Sequence, residues 1–152
     1  MVEVVIEQDV HVEVADVERL RRSIARLARL LRQQDEGGFG ATATSALATV
    51  QHHGPLSLGE LATREQVAPP TMTKVVEKLE AHGLVKREID PRDRRVARLT
   101  ITAAGRRHLD RTRELRTAWL RGRLQDLDAG ERQRVTDAIS TLERLAGLTE
   151  DR

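Results

Sequence analysis

Two groups of hydrogen-bond donors stand out in the chain. Thr71, Thr73, Lys74 and Lys78 lie in one short segment beside Pro70, and Arg92, Arg94 and Arg95 crowd around Asp93. Hydroxyls, an ammonium and guanidiniums at such spacings hold anions and read hydrogen-bonding edges. Lysine and threonine donate to phosphate oxygens or base edges, and a threonine methyl suits the methyl of thymine. Clustered arginines at an exposed tip suit a narrow, negative minor groove. Asp93 cancels one of their charges, so its expected part is to hold a neighbouring arginine in a fixed direction. Bond-making chemistry has no comparable footing. The chain carries no nucleophile elbow, P-loop, dinucleotide fingerprint or zinc-protease helix, and it reads as a non-enzyme that needs no cofactor. With no cysteine there is no thiolate site or disulfide framework. His52-His53 lacks the matching carboxylate spacing of a metal centre.

The charge around these groups is patterned. The 26 basic residues exceed the 24 acidic ones by two. The pI of 9.6 follows from arginine replacing lysine, because arginine keeps its charge far above neutrality. Local sign says more. Residues 1–18 hold six acids and no lysine or arginine, 21–34 five arginines and no acid, and 64–98 nine bases against six acids. Residues 102–123 hold seven bases against two acids, and 124–152 reverse to four against seven. Aromatic side chains are limited to Phe39 and Trp119, too few for a surface that stacks single-stranded bases. The acidic, interrupted start does not resemble a secretory leader, and the chain reads as cytoplasmic.

These donors need elements to present them, and 152 residues suit one domain. Val10-His11-Val12-Glu13-Val14 alternates with a strand period and reads as a frayed arm or as a strand completed by something else. From Asp16, a good N-cap, Val17, Leu20, Ile24, Leu27 and Leu31 form one helical stripe ending near Gln34. A second helix fits 41–52, with Leu47 and Val50 inward. Ser57 and Glu60 have capping-box spacing and open a short helix to about Arg64 that buries Leu61 and Ala62. Pro69-Pro70 opens another, running to about His82 before Gly83. Its inward face carries Met72, Val75, Val76 and Leu79. The outward one carries Pro70, Thr73, Lys74, Glu77 and Lys78, with Thr71 at the margin. Residues 84–89 and 96–101 read as a hairpin closed by Asp90-Pro91-Arg92-Asp93. Thr102 caps a long helix to about Asp126. Asp128 and Glu131 open a last one, with Val135, Ile139, Leu142 and Ala146 on one face.

Short helix, turn, second helix and charged hairpin is the order of a winged helix-turn-helix. Leu58-Gly59-Glu60-Leu61-Ala62, the run from Thr73 to Val85, and Asp90-Pro91-Arg92-Asp93-Arg94-Arg95 followed by Leu99-Thr100-Ile101-Thr102-Ala103-Ala104-Gly105 together resemble the MarR family of bacterial transcriptional regulators. The resemblance implies a mainly α fold with a small β-hairpin wing. It implies a DNA-binding region over 41–101, and a helical dimerisation region over 16–40 and 102–152 of one intertwined domain, after an arm over 1–15. It implies a homodimer on double-stranded DNA, most simply a repressor at a pseudo-palindromic site. Recognition would fall to Thr71, Thr73 and Lys74 in the major groove, with Pro70 and Lys78 beside them on the DNA-binding face, and to Arg92, Arg94 and Arg95 in the minor groove, with Asp93 orienting. The pairing surface would use Val17, Leu20, Ile24, Leu27, Trp119, Val135, Ile139 and Leu142. A small, often aromatic, anionic effector would bind between the two regions. The other reading left by the residues themselves is a winged-helix module that binds protein in place of DNA.

Overall fold

Amphipathic spacing and well-placed caps turn most of the chain into helix. The structure, a computed structural model, describes residues 13–35, 37–91 and 93–148. In chain order these form α1 (Val14–Arg32), α2 (Ala41–His53), β1 (Leu56–Ser57), α3 (Leu58–Glu65), α4 (Pro69–Ala81), β2 (Val85–Ile89), β3 (Ala97–Ile101), α5 (Ala103–Gln125) and α6 (Ala129–Leu145). The three strands make one antiparallel sheet in the order β1-β3-β2. Val85 pairs with Ile101 and Ile89 with Ala97 along the hairpin, while Leu56 pairs with Leu99 on the other side of β3. This is a winged helix-turn-helix between long flanking helices.

The caps expected at three helix starts form. Ser57 with Glu60 and Asp128 with Glu131 make reciprocal capping boxes, each satisfying two backbone N–H groups that a helix end leaves orphaned. Thr102 accepts from the Gly105 N–H at 3.0 Å and lies 2.6 Å from the Gly83 carbonyl. The end of α4 is also well closed. Gly83 takes φ +66°, its N–H reaches Glu80 O at 2.8 Å, and Leu84 N–H reaches Leu79 O at 2.9 Å. That is a Schellman closure, which favours glycine because of the left-handed turn. A different constraint acts at Gly105. A Cβ there would lie 2.2 Å from Leu84 O and 2.7 Å from Ile101 Cγ1, so α5 can begin against the hairpin only where the side chain is absent.

The start of α1 differs from expectation. Asp16 is not the N-cap; the cap is Glu13, without a side-chain bond, and Asp16 sits in the first turn. There its carboxylate meets Arg19 at 3.0 Å, and an acid so placed favours the helix dipole. Val14, expected in the alternating segment, is therefore helical; Val10, His11 and Val12 lie outside the described residues. Strand β1 was not anticipated. Two residues carry no readable period, and it exists only through its pairing with β3.

The core is built from α2, α3, α4, the three strands and the first part of α5. Leu47, Val50, Leu61, Met72, Val76, Leu79 and Leu99 are fully buried, joined by Leu56, Leu84, Val85, Ile101 and Leu109. Truncating one such leucine costs about 2–5 kcal/mol, so this cluster fixes α4 and the hairpin against α2, α3 and the start of α5. Neither α1 nor α6 contains a buried residue. Val17, Leu20, Ile24 and Leu27 keep 45–50% of their surface exposed, and Val135, Ile139 and Leu142 keep 41–48%. Ala146, expected on the α6 face, is its C-cap. No helix among the described residues is long and apolar enough to cross a membrane.

Candidate nucleic-acid interface

Helix α4 presents one face to the core and one to solvent. Met72, Val76 and Leu79 are buried and Val75 half-buried, whereas Pro70, Thr71, Lys74, Glu77 and Lys78 are exposed. The expected donors are not equivalent. The Thr71 hydroxyl and the Lys74 ammonium make no hydrogen bond among the described residues. Thr73 is half-buried, and its hydroxyl donates to Pro69 O at 3.0 Å within the helix. Lys78 turns toward the α1–α2 loop, with Nζ donating to Gly38 O at 2.9 Å and lying 5.1 Å from the Phe39 ring centre.

The backbone at the start of α4 is also spent. Pro69 and Pro70 have no N–H, and the N–H groups of Thr71 and Met72 both reach Ala68 O, at 2.9 and 3.0 Å. An anion approaching this end meets side chains, although an ordinary helix N-terminus would offer free backbone donors.

The wing is a tightly closed turn. Asp90 N–H reaches Val96 O at 2.9 Å, and Val96 N–H reaches Asp93 O at 3.0 Å. The Asp93 carboxylate accepts the Arg95 backbone N–H at 3.0 Å. Asp93 thus braces the tip through the peptide of its neighbour Arg95. Local side-chain-to-backbone bonds of this kind are the usual work of aspartate in turns. Arg94 and Arg95 are exposed, and their guanidiniums have no partner among the described residues; Arg92 lies outside them.

Arg98 is a residue of the wing base that the sequence does not single out. From β3, its Nε meets Asp90 at 2.8 Å and its Nη1 meets Glu60 at 2.6 Å. It ties the wing base to the N-terminus of α3. Bonding to Asp90 and the charges of Asp90 and Glu60 hold its guanidinium all the more firmly protonated. The Glu60 carboxyl is held below its ordinary range, first by the Ser57 N–H, then by the Ser57 hydroxyl and the charges of Arg98 and Arg64. Glu60 and Asp90 were each visible as cap and turn residues. Their shared partner was hidden by a separation of 38 residues between Glu60 and Arg98.

A second feature lies between α1, α2 and α5. A cleft of about 540 Å³ is lined by Arg32, Thr44, His52, Thr112, Arg113 and Arg116 among others. Arg116 grips Asp35 through two nitrogens, at 2.8 and 3.1 Å, and Asp35 also accepts from Thr44 at 3.1 Å. The Asp35 side chain is only 6% exposed. Thr112 Oγ1 is buried in the cleft wall and has no hydrogen-bond partner among the described residues. Trp119, further along α5, is half-buried with the Arg123 guanidinium 5.3 Å from its ring centre.

Comparison with known proteins supplies the relatives. The MarR family model matches residues 40–97. An uncharacterized HTH-type transcriptional regulator of Mycobacterium leprae is 33% identical over 124 residues, which span 81% of this chain and 87% of the relative. Among solved structures, a transcriptional regulator from Thermotoga maritima superposes with a TM-score of 0.68 at 25% identity, covering 84% of this chain and 94% of that one. A MepR mutant from Staphylococcus aureus, bound to an oligodeoxyribonucleotide, superposes with a TM-score of 0.67 at 18% identity, covering 88% and 98%.

Proposed function

The chain belongs to the MarR family of DNA-binding transcriptional regulators, and from that premise we propose that it works as a cytoplasmic homodimer on a pseudo-palindromic duplex. One α4 enters the major groove of each half-site and one wing the adjacent minor groove. The observation that carries this reading is the set of unspent cations on core-anchored elements: Lys74 on the outer face of α4, and Arg94 and Arg95 at the wing tip. The reading is helped by a structural neighbour with the same fold that was solved with an oligodeoxyribonucleotide. The half-exposed stripes of α1 and α6 favour pairing, since a lone soluble chain rarely leaves such patches uncovered. In the dimer, residues 16–40 and 102–152 form the pairing region and 41–101 the DNA-binding region. The protein acts as a repressor by occupying promoter DNA, and the activity calls for no cofactor.

The cleft between the regions is the seat for an effector. Arg32 supplies a positive charge with no partner among the described residues, whereas Arg113 is paired with Asp110 and Arg116 with Asp35; the unpartnered Thr112 hydroxyl is buried in the wall behind them. A small aromatic carboxylate fits that chemistry.

Selection from a random pool of duplexes tests both parts. The expected winners are pseudo-palindromes with half-sites about 10 base pairs apart, bound less tightly as salt rises. Absence of duplex binding even at low salt would leave the protein-interaction module as the better reading. Benzoate-type carboxylates should release the selected duplex and be antagonised by it in return. If none of them does, that ligand class is removed.

A further inference from the structure

The loop between α1 and α2 is held at both ends by contacts that the DNA-binding reading does not use. At one end lies the Asp35 carboxylate, clamped by Arg116 of α5 and Thr44 of α2. At the other, Gly38 O accepts from Lys78 of α4 at 2.9 Å. Beside it the Phe39 ring stands edge-on between two imidazoles, 4.9 Å from His82 at the end of α4 and 5.0 Å from His108 on α5. Lys78 Nζ lies against the same ring, and the ring also packs on the buried core.

We infer that this loop is a positioning strap, in which Phe39 and Lys78 set the angle of α4 relative to α5. The inference rests on the regulator reading and reassigns Lys78 from DNA contact to strap. Two considerations carry it. Aromatic edge contacts are directional, so a ring wedged between α4 and α5 fixes their relative orientation better than aliphatic packing would. The Lys78 ammonium also donates to a carbonyl of the loop, whereas the Lys74 ammonium makes no hydrogen bond among the described residues. In a dimer, the angle between α4 and α5 sets the separation of the two recognition helices.

Two measurements test the strap. The chain has no cysteine, so spin labels on Glu77→Cys and Arg107→Cys, diluted with unlabelled chain, report the α4–α5 distance without DNA. A single narrow distribution is expected. Phe39→Ala and Lys78→Met should broaden it, and Phe39→Tyr should restore it. An unbroadened Phe39→Ala or Lys78→Met distribution overturns the proposal; should Phe39→Ala fail to fold, Lys78→Met carries the test. The second measurement uses the duplex selected by the wild-type protein and a version with one base pair inserted between half-sites. The wild type should prefer the former by about tenfold, and Phe39→Ala should narrow that preference to about threefold or less. Retention of the full preference also counts against the strap. Lys78→Met should leave the salt slope unchanged, and a slope smaller by about one would make Lys78 a phosphate contact instead. A wild-type protein that selects no duplex defeats the regulator reading, while the spin-label distances still decide the strap.

Discussion

On α4 the Thr73 hydroxyl bonds within its own helix, and the Lys78 ammonium bonds to the loop before α2. Thr73, Lys74 and Lys78 were all legible as outward donors on one helix, yet they divide into three roles. The Thr73 hydroxyl gives its proton to Pro69 O, Lys74 is unspent, and Lys78 reaches the loop. Nothing in a helical period reveals a bond across 40 residues. Asp93 was likewise legible as an organiser of the tip, and its carboxylate accepts the Arg95 backbone N–H. Lys74→Ala or Arg94→Ala should weaken duplex binding by about tenfold or more, with the magnitude of the salt slope falling by about one. Thr73→Val should stay within about twofold, as expected when only a helix-internal bond is lost. Gel-shift titrations at several salt concentrations check all three, and unchanged affinity in both cation variants would remove the interface as drawn.

Among elements, helices with apolar stripes and capping signals were legible almost throughout, because a cap and a period act locally. Strand β1 was not, since its two residues are ordered by β3. Nor was the link between wing and helix-turn-helix, which depends on Arg98 bridging Asp90 and Glu60. That link makes a prediction about pH. The folded Glu60 carboxyl titrates below its ordinary range, so its contribution to stability is complete above the unfolded value and is lost as pH falls through the folded one. Glu60→Gln should therefore melt at a lower temperature than wild type near neutrality. The two curves should converge below about pH 4. Thermal melts across that range decide the matter, and parallel curves would mean that the Glu60 charge contributes nothing.

The buried core draws on α2 to α5 and the sheet, while the long helices α1 and α6 contain no fully buried residue. The stripe on α1 was legible from spacings of three and four; its surroundings were not, because one sequence does not state which chain covers it. If pairing covers it, apparent stability belongs to the pair and should rise with protein concentration. The wild-type melting temperature should climb over a hundredfold concentration series, whereas Ile24→Glu should sediment as a monomer and lose the dependence. A concentration-independent melt in the wild type, with Ile24→Glu unchanged in mass, would contradict pairing through this face. The uncovered stripes also have a genetic consequence. If the chains pair through these stripes and Lys74 contacts DNA as proposed, a cell making equal amounts of an intact chain and one lacking Lys74 would assemble them at random, leaving only about a quarter of the dimers with two working subunits. Alleles damaged on the outer face of α4 should thus be dominant, and alleles damaged on the α1 stripe recessive, because a subunit that does not pair has no means of spoiling its neighbour.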